Sequence, residues 1–145
     1  MLKTAGITLN PQKKDIFKKV LPIIDWLEKR KVEVLVLRGI GGNFPSRMLA
    51  NMEKIREKAQ LIISLGGDGT LFRAARDFSS YQLPILGINL GGLGFLTEVS
   101  ILEFEESLEK VLVGRYKIEK RMMLQTLVYR KGKLIKSSIA LNDVV

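Results

Sequence analysis

The chain has 145 residues, 46% of them apolar and 27% charged, with a formal charge of +9, which suits one soluble domain with a proper core. It holds neither cysteine nor histidine, so disulfides, thiolate nucleophiles, cysteine-ligated zinc and His-based triads are excluded and carboxylates are the expected bases. No apolar run approaches the ~20 residues of a membrane span, and the start Met1-Leu2-Lys3-Thr4 lacks the pattern of a secretory leader, so a cytoplasmic protein is expected.

Ala5 to Leu9 reads as a first strand. Asn10-Pro11 then offers an N-cap and a proline at the first helical position. The helix expected next carries Ile16, Phe17, Val20, Leu21, Ile24 and Leu27 on one stripe, with Pro22 set to kink or divide it. Val32 to Leu37 is a second strand, Gly39 to Ser46 a loop, and Arg47 to Ala59 a second helix. Leu61 to Leu65 forms a third strand, a helix begins near Thr70, Pro84 to Ile88 is a fourth strand, and Leu102 to Val113 a further helix. Strands alternating with helices at this spacing predict an α/β fold with an open, mostly parallel sheet flanked by helices.

After Gly114 the pattern changes. Lys117 to Tyr129 and Lys133 to Val145 read as two strands around Arg130-Lys131-Gly132, the start of a β-rich unit. The expected division is therefore 1–114 and 115–145. The chain stops inside an apparent strand, which suggests that more protein should follow. Arg115 to Lys136 holds eight basic residues against Glu119 alone, whereas Leu61 to Gly114 holds three basic and seven acidic residues. The basic segment either attracts phosphate-bearing ligands or nucleic acid, or is a solvated hairpin face.

Two glycine-rich turns carry the chemistry. Leu61 to Leu65 runs into Gly66-Gly67-Asp68-Gly69-Thr70, then a helix. Glycines let backbone amides approach a ligand, and a helix N-terminus favours phosphate. The turn is neither a P-loop, since no lysine follows, nor a dinucleotide fingerprint, since Phe72 stands where a third glycine would be needed. Asp68 either serves chemistry, through a metal or a hydroxyl proton, or caps the next helix. The second turn, Gly87-Ile88-Asn89-Leu90-Gly91-Gly92-Leu93-Gly94-Phe95-Leu96-Thr97, either offers Phe95 and Leu96 to a base ring or is a mobile loop with Phe95 in the core. Both turns should lie at one sheet edge.

Gly66 to Thr70 resembles the signature of a superfamily that includes NAD kinases, diacylglycerol- and sphingosine-type lipid kinases and phosphofructokinases. The second turn is similar to the second NAD kinase motif, and Asn142-Asp143 to the third. The resemblance spans the whole chain and about half of a typical NAD kinase. It implies a phosphofructokinase-like or Rossmann-like fold and phosphoryl transfer from ATP, or from polyphosphate in some members, to the adenosine ribose 2′-hydroxyl of NAD. Asp68 would be the catalytic base. Asp68, Gly69, Arg73, Phe95, Leu96, Asn142 and Asp143 would contact NAD, and Gly66, Gly67 and Thr70 would line the phosphate path. Mg²⁺ is implied as cofactor, with no residue of this chain assigned to hold it. Family members continue into a β-rich domain that completes the NAD site and builds a homo-oligomer, so these 145 residues alone are expected to be inactive. Neither nucleic acid nor membrane is an expected partner. The alternatives are a lipid kinase and a basic, non-enzymatic nucleotide- or nucleic-acid-binding module.

Overall fold

Near-continuous apolar runs build a sheet that helices cover on both faces, because a strand buried on two sides has no polar face to show water. The computed structural model describes residues 2–13, 15–92, 94–97 and 99–143. In chain order the elements are β1 (Thr4–Leu9), α1 (Ile16–Lys29), β2 (Glu33–Leu37), β3 (Leu49–Ala50), α2 (Met52–Lys58) and β4 (Leu61–Gly66). Then follow α3 (Asp68–Phe78), β5 (Ile85–Asn89), β6 (Val99–Ser100), α4 (Phe104–Leu112), β7 (Leu124–Arg130) and β8 (Lys133–Ala140). The first six strands form one parallel sheet in the order β3-β2-β1-β4-β5-β6, and β7 and β8 form an antiparallel pair. The expected α/β class is the one observed.

Alternation along the strands feeds two cores. Ala5, Ile7, Leu9, Val34, Val36, Ile63, Leu65 and Ile88 pack with Ile16, Val20, Ile23, Ile24 and Leu27 of α1 and Leu108 of α4. On the other face Leu35 and Ile62 pack with Ile55 of α2 and Ala74 and Phe78 of α3. From β1 the chain winds outward to β2 and β3, then returns to β4 and winds the opposite way to β5 and β6. The strand order therefore reverses between β1 and β4, whose carboxyl ends open the crevice where such sheets bind ligands.

Several boundaries differ from expectation. Asn10 does not cap α1: its side chain accepts from the Gln12 amide at 3.1 Å and closes a turn, and the helix starts only at Ile16. Pro22 does not divide α1, which runs on to Lys29 with Pro22 on the exposed side; Leu21 is also exposed, and Ile23 and Trp26 are buried instead. Arg47 to Ala59 is not one helix. A 3₁₀ turn (Ser46–Met48) and β3 precede α2, because the Asn51 side chain accepts from the Lys54 amide and starts the helix there. A 3₁₀ turn (Ile101–Glu103) likewise precedes α4. Residues 117–123 are not strand; pairing starts at Leu124 and ends at Ala140, and the last two residues of the expected strand lie outside the described ones. Lys131 and Gly132, with φ of 49° and 72°, make the hairpin turn where it was expected. Among the described residues no helix is long and apolar enough to cross a membrane.

Ile63 is fully buried in β4, between β1 and β5. Ile63→Ala should lower stability by ~2–5 kcal/mol in urea unfolding, the usual cost of such a core truncation. A loss below ~1 kcal/mol would contradict this packing role.

Candidate functional site

Three loops meet at the carboxyl ends of β1, β4 and β5. The β4 loop is the shortest: Gly66 ends the strand, Gly67 is extended, and Asp68 already begins α3. A side chain at Gly66 would collide with Thr70 Oγ1, so only glycine lets the helix start this close to its strand. The first amides of α3 have no partner within the helix and carry its positive end. Thr70 is buried against Gly66, and its amide donates to the Gly67 carbonyl at 3.0 Å.

Asp68 does not cap α3. Its Oδ2 accepts from the Phe95 amide at 2.7 Å, and its Oδ1 accepts from the amides of Leu96 and Thr97 and from the Thr97 hydroxyl, each at 3.2 Å. One carboxylate thus ties the first glycine-rich turn to the second. Burial pushes the Asp68 pKa up, but the amides of Phe95 and Leu96, the Thr97 hydroxyl and the Thr97 amide outweigh it and hold the group below its ordinary value.

Beneath this contact the β5 loop is fastened from inside. Asn89, buried at the end of β5, donates to the Gly92 carbonyl at 2.6 Å and to Thr97 Oγ1 at 2.9 Å, and accepts from the Gly91 amide at 2.9 Å. The Leu90 amide donates to the Gly66 carbonyl at 3.0 Å, and Lys19 of α1 donates to the Leu90 carbonyl at 2.9 Å. Phe95 is not in the core; its side chain is fully exposed, and Leu96 is half-buried.

Two open clefts adjoin the α3 N-terminus. The first, of about 400 Å³, lies at the β1/β4 switch and is lined by Leu9 to Lys13, Gly67, Gly69, Thr70 and Arg73. Lys13 Nζ stands 3.7 Å from where a side chain on Gly67 would begin. The second, of about 590 Å³, runs between α3 and the β7–β8 hairpin; it shares Gly69 and Arg73 and adds Arg76, Lys136, Asn142 and Asp143. Of the predicted site residues, Gly67, Gly69, Thr70, Arg73, Asn142 and Asp143 line these clefts, whereas Gly66, Asp68, Phe95 and Leu96 lie in the adjoining turns and line neither. Sequence reasoning missed Lys13, Asn89 and Thr97 as contributors. Lys13 follows the central strand, and Asn89 and Thr97 lie inside the second motif, so topology and motif position were the available clues.

A sequence model described as the ATP-NAD kinase N-terminal domain matches residues 5–116. The chain is 42% identical over 146 residues to an NAD kinase of Moorella thermoacetica, across 99% of this chain and 46% of that protein. It is 37% identical over 150 residues to an NAD kinase of Desulforamulus reducens, across 99% of this chain and 50% of that protein. The chain thus spans about half the length of these relatives. A crystal structure of yeast NADH kinase complexed with NADH superposes with a TM-score of 0.80 at 23% identity, over 97% of this chain and 47% of that one. An NAD kinase from Archaeoglobus fulgidus in complex with ATP gives a TM-score of 0.55 at 25% identity, over 90% of this chain and 45% of that one.

The Asp68 contact has a defined pH dependence. A depressed folded-state pKa means that its stabilisation is fully present above the unfolded value and is lost as pH falls through the folded one. The Phe95, Leu96 and Thr97 amide resonances should therefore titrate with a midpoint below the ordinary Asp value of about 3.9. A midpoint at or above it would contradict the clamp.

Proposed function

The chain belongs to the NAD kinase family, and from that premise we propose that its whole protein transfers a phosphoryl group from ATP to the adenosine ribose 2′-hydroxyl of NAD, making NADP. The observation that carries this reading is the Asp68 carboxylate, held at the meeting point of two glycine-rich loops, next to the cleft at the β1/β4 switch and the groove along the hairpin. We assign residues 1–114 to the α/β nucleotide-binding unit and 115–145 to the opening of a β-rich one.

The division of labour follows from charge and position. The cleft at the switch takes the donor's phosphates, with the amides at the α3 N-terminus as cradle and Lys13 as counter-charge. The groove along the hairpin takes NAD, with Gly69 and Arg73 on its α3 wall and Asn142 and Asp143 hydrogen-bonding its ribose and base edge; Phe95 and Leu96, in the adjoining turn, border the nucleotide. The ribose 2′-oxygen forms the new bond to the γ-phosphorus, the bond from that phosphorus to the β–γ bridging oxygen breaks, and ADP leaves. Asp68 Oδ2 receives the hydroxyl proton. It has one amide donor and so retains a lone pair for this purpose. A depressed pKa makes Asp68 a modest base, which suits a loose transition state in which positioning and charge neutralisation dominate.

Among the described residues no group of three or more carboxylates could cage a metal. Mg²⁺ would enter on the donor's triphosphate, the usual mode for an ion bound through substrate phosphates, and would there neutralise the transferred group's charge.

The test is a coupled assay for NADP with the full-length protein. Asp68→Asn should lower kcat by ~10²–10⁴-fold, the range of general-base catalysis; wild-type turnover would remove Asp68 from the mechanism. Lys13→Ala should raise KM for ATP by about tenfold or more through loss of a charge-assisted contact, with a smaller effect on KM for NAD. An unchanged KM for ATP would place the donor phosphates elsewhere.

A further inference from the structure

We propose that Thr97, held by Asn89, is a positioning residue for phosphoryl transfer: its hydroxyl fixes the rotation of the Asp68 carboxylate so that Oδ2 faces the acceptor hydroxyl. This deepens, and rests on, the kinase reading above.

The argument is one of donor and acceptor counting. The Asn89 amide has a single orientation, because Oδ1 accepts from the Gly91 N–H while Nδ2 donates to the Gly92 carbonyl and to Thr97 Oγ1. Thr97 Oγ1 has one proton. Since it accepts from Asn89 at 2.9 Å, that proton is free to donate to Asp68 Oδ1 at 3.2 Å. The amides of Leu96 and Thr97 reach the same oxygen, also at 3.2 Å, so Oδ1 is fully committed inside the loop. Oδ2 keeps an open lone pair beyond its one bond to the Phe95 amide. A carboxylate without the hydroxyl would have fewer anchors against rotation. Asn89 and Thr97 are both buried, 3% and 1% exposed, so water does not compete for these bonds.

Gly94 completes the contact. A side chain there would collide with Asp68 Oδ1 and press on Thr97 Oγ1, so the glycine lets the carboxylate and the hydroxyl meet.

The experiment is steady-state NADP formation by the full-length protein, with folding followed by circular dichroism. Thr97→Val, which keeps shape and removes the hydroxyl, should lower kcat by ~10–100-fold, as expected for a misplaced reacting group. KM for NAD should stay within about threefold, marking an effect on the transition state rather than on binding. Thr97→Ser, which returns the hydroxyl, should restore most of the lost rate. In an Asp68→Asn background Thr97→Val should cost little more, because two residues acting as a unit are not additive. If Thr97→Val does not fold, Thr97→Ala decides, with the same kcat loss expected. A folded variant with wild-type kcat, or one that raises only KM, overturns the inference while leaving an active wild type as evidence for the kinase. A wild type that makes no NADP overturns the kinase reading and this inference with it.

Discussion

The site depends on one carboxylate shared between two loops. In the proposed reading the glycine-rich turn cradles phosphate, and an acidic side chain at its start would repel that ligand. Here the charge of Asp68 is met by three amides and a hydroxyl from Phe95 to Thr97, all belonging to the other loop. The α3 amides, Lys13 and Arg73, which adjoin the switch cleft, take no part in these bonds. The same bonds set the distance between the loops. Electrostatic neutralisation and mechanical fastening are one arrangement.

That arrangement stands on the buried centre of the sheet. Leu65 and Ile88, fully buried, lie just beneath the two turns, and the Leu90 amide to Gly66 carbonyl bond continues the β4–β5 pairing past its last registered residues. A carboxylate on a helix start and donors on a strand-end loop inherit their positions from packed elements, which a catalytic geometry requires. The doubly wound topology then puts the β1 loop, with Lys13, on the opposite wall of the same crevice. The hairpin supplies the remaining wall. Of the basic segment from Arg115 to Lys136, it is Lys136 that reaches the groove beside Arg73 and Arg76.

The strand–glycine turn–helix pattern at Leu61 to Thr70 was legible because continuous apolar runs, glycines and helical periodicity all agree there. The same agreement revealed β1, β2 and β5. The two-residue strands β3 and β6 were not legible, since they carry no period of their own and exist by pairing with β2 and β5. Asn51, one polar residue inside an apparent helical stretch, moved a helix start by several residues through its side-chain bond to Lys54. Asn10 did the reverse by closing a turn in place of a helix. Residues 117–123 have strand composition but no partner among the described residues. The motif identified Asp68, whereas the donors that occupy it emerge only when β4 and β5 are side by side. No linear pattern states that Asn89 aligns Thr97 or that Gly94 must be bare for Asp68 to fit.

The most direct measurement is a crystal structure of the full-length protein with NAD and a non-hydrolysable ATP analogue. The account predicts the adenosine ribose 2′-oxygen within ~2.6–3.2 Å of Asp68 Oδ2, with the γ-phosphate against the α3 N-terminus and Oδ1 still bonded to Leu96 and Thr97. NAD bound with its ribose away from Asp68, or Oδ2 turned from the cleft while both nucleotides are in place, would contradict it.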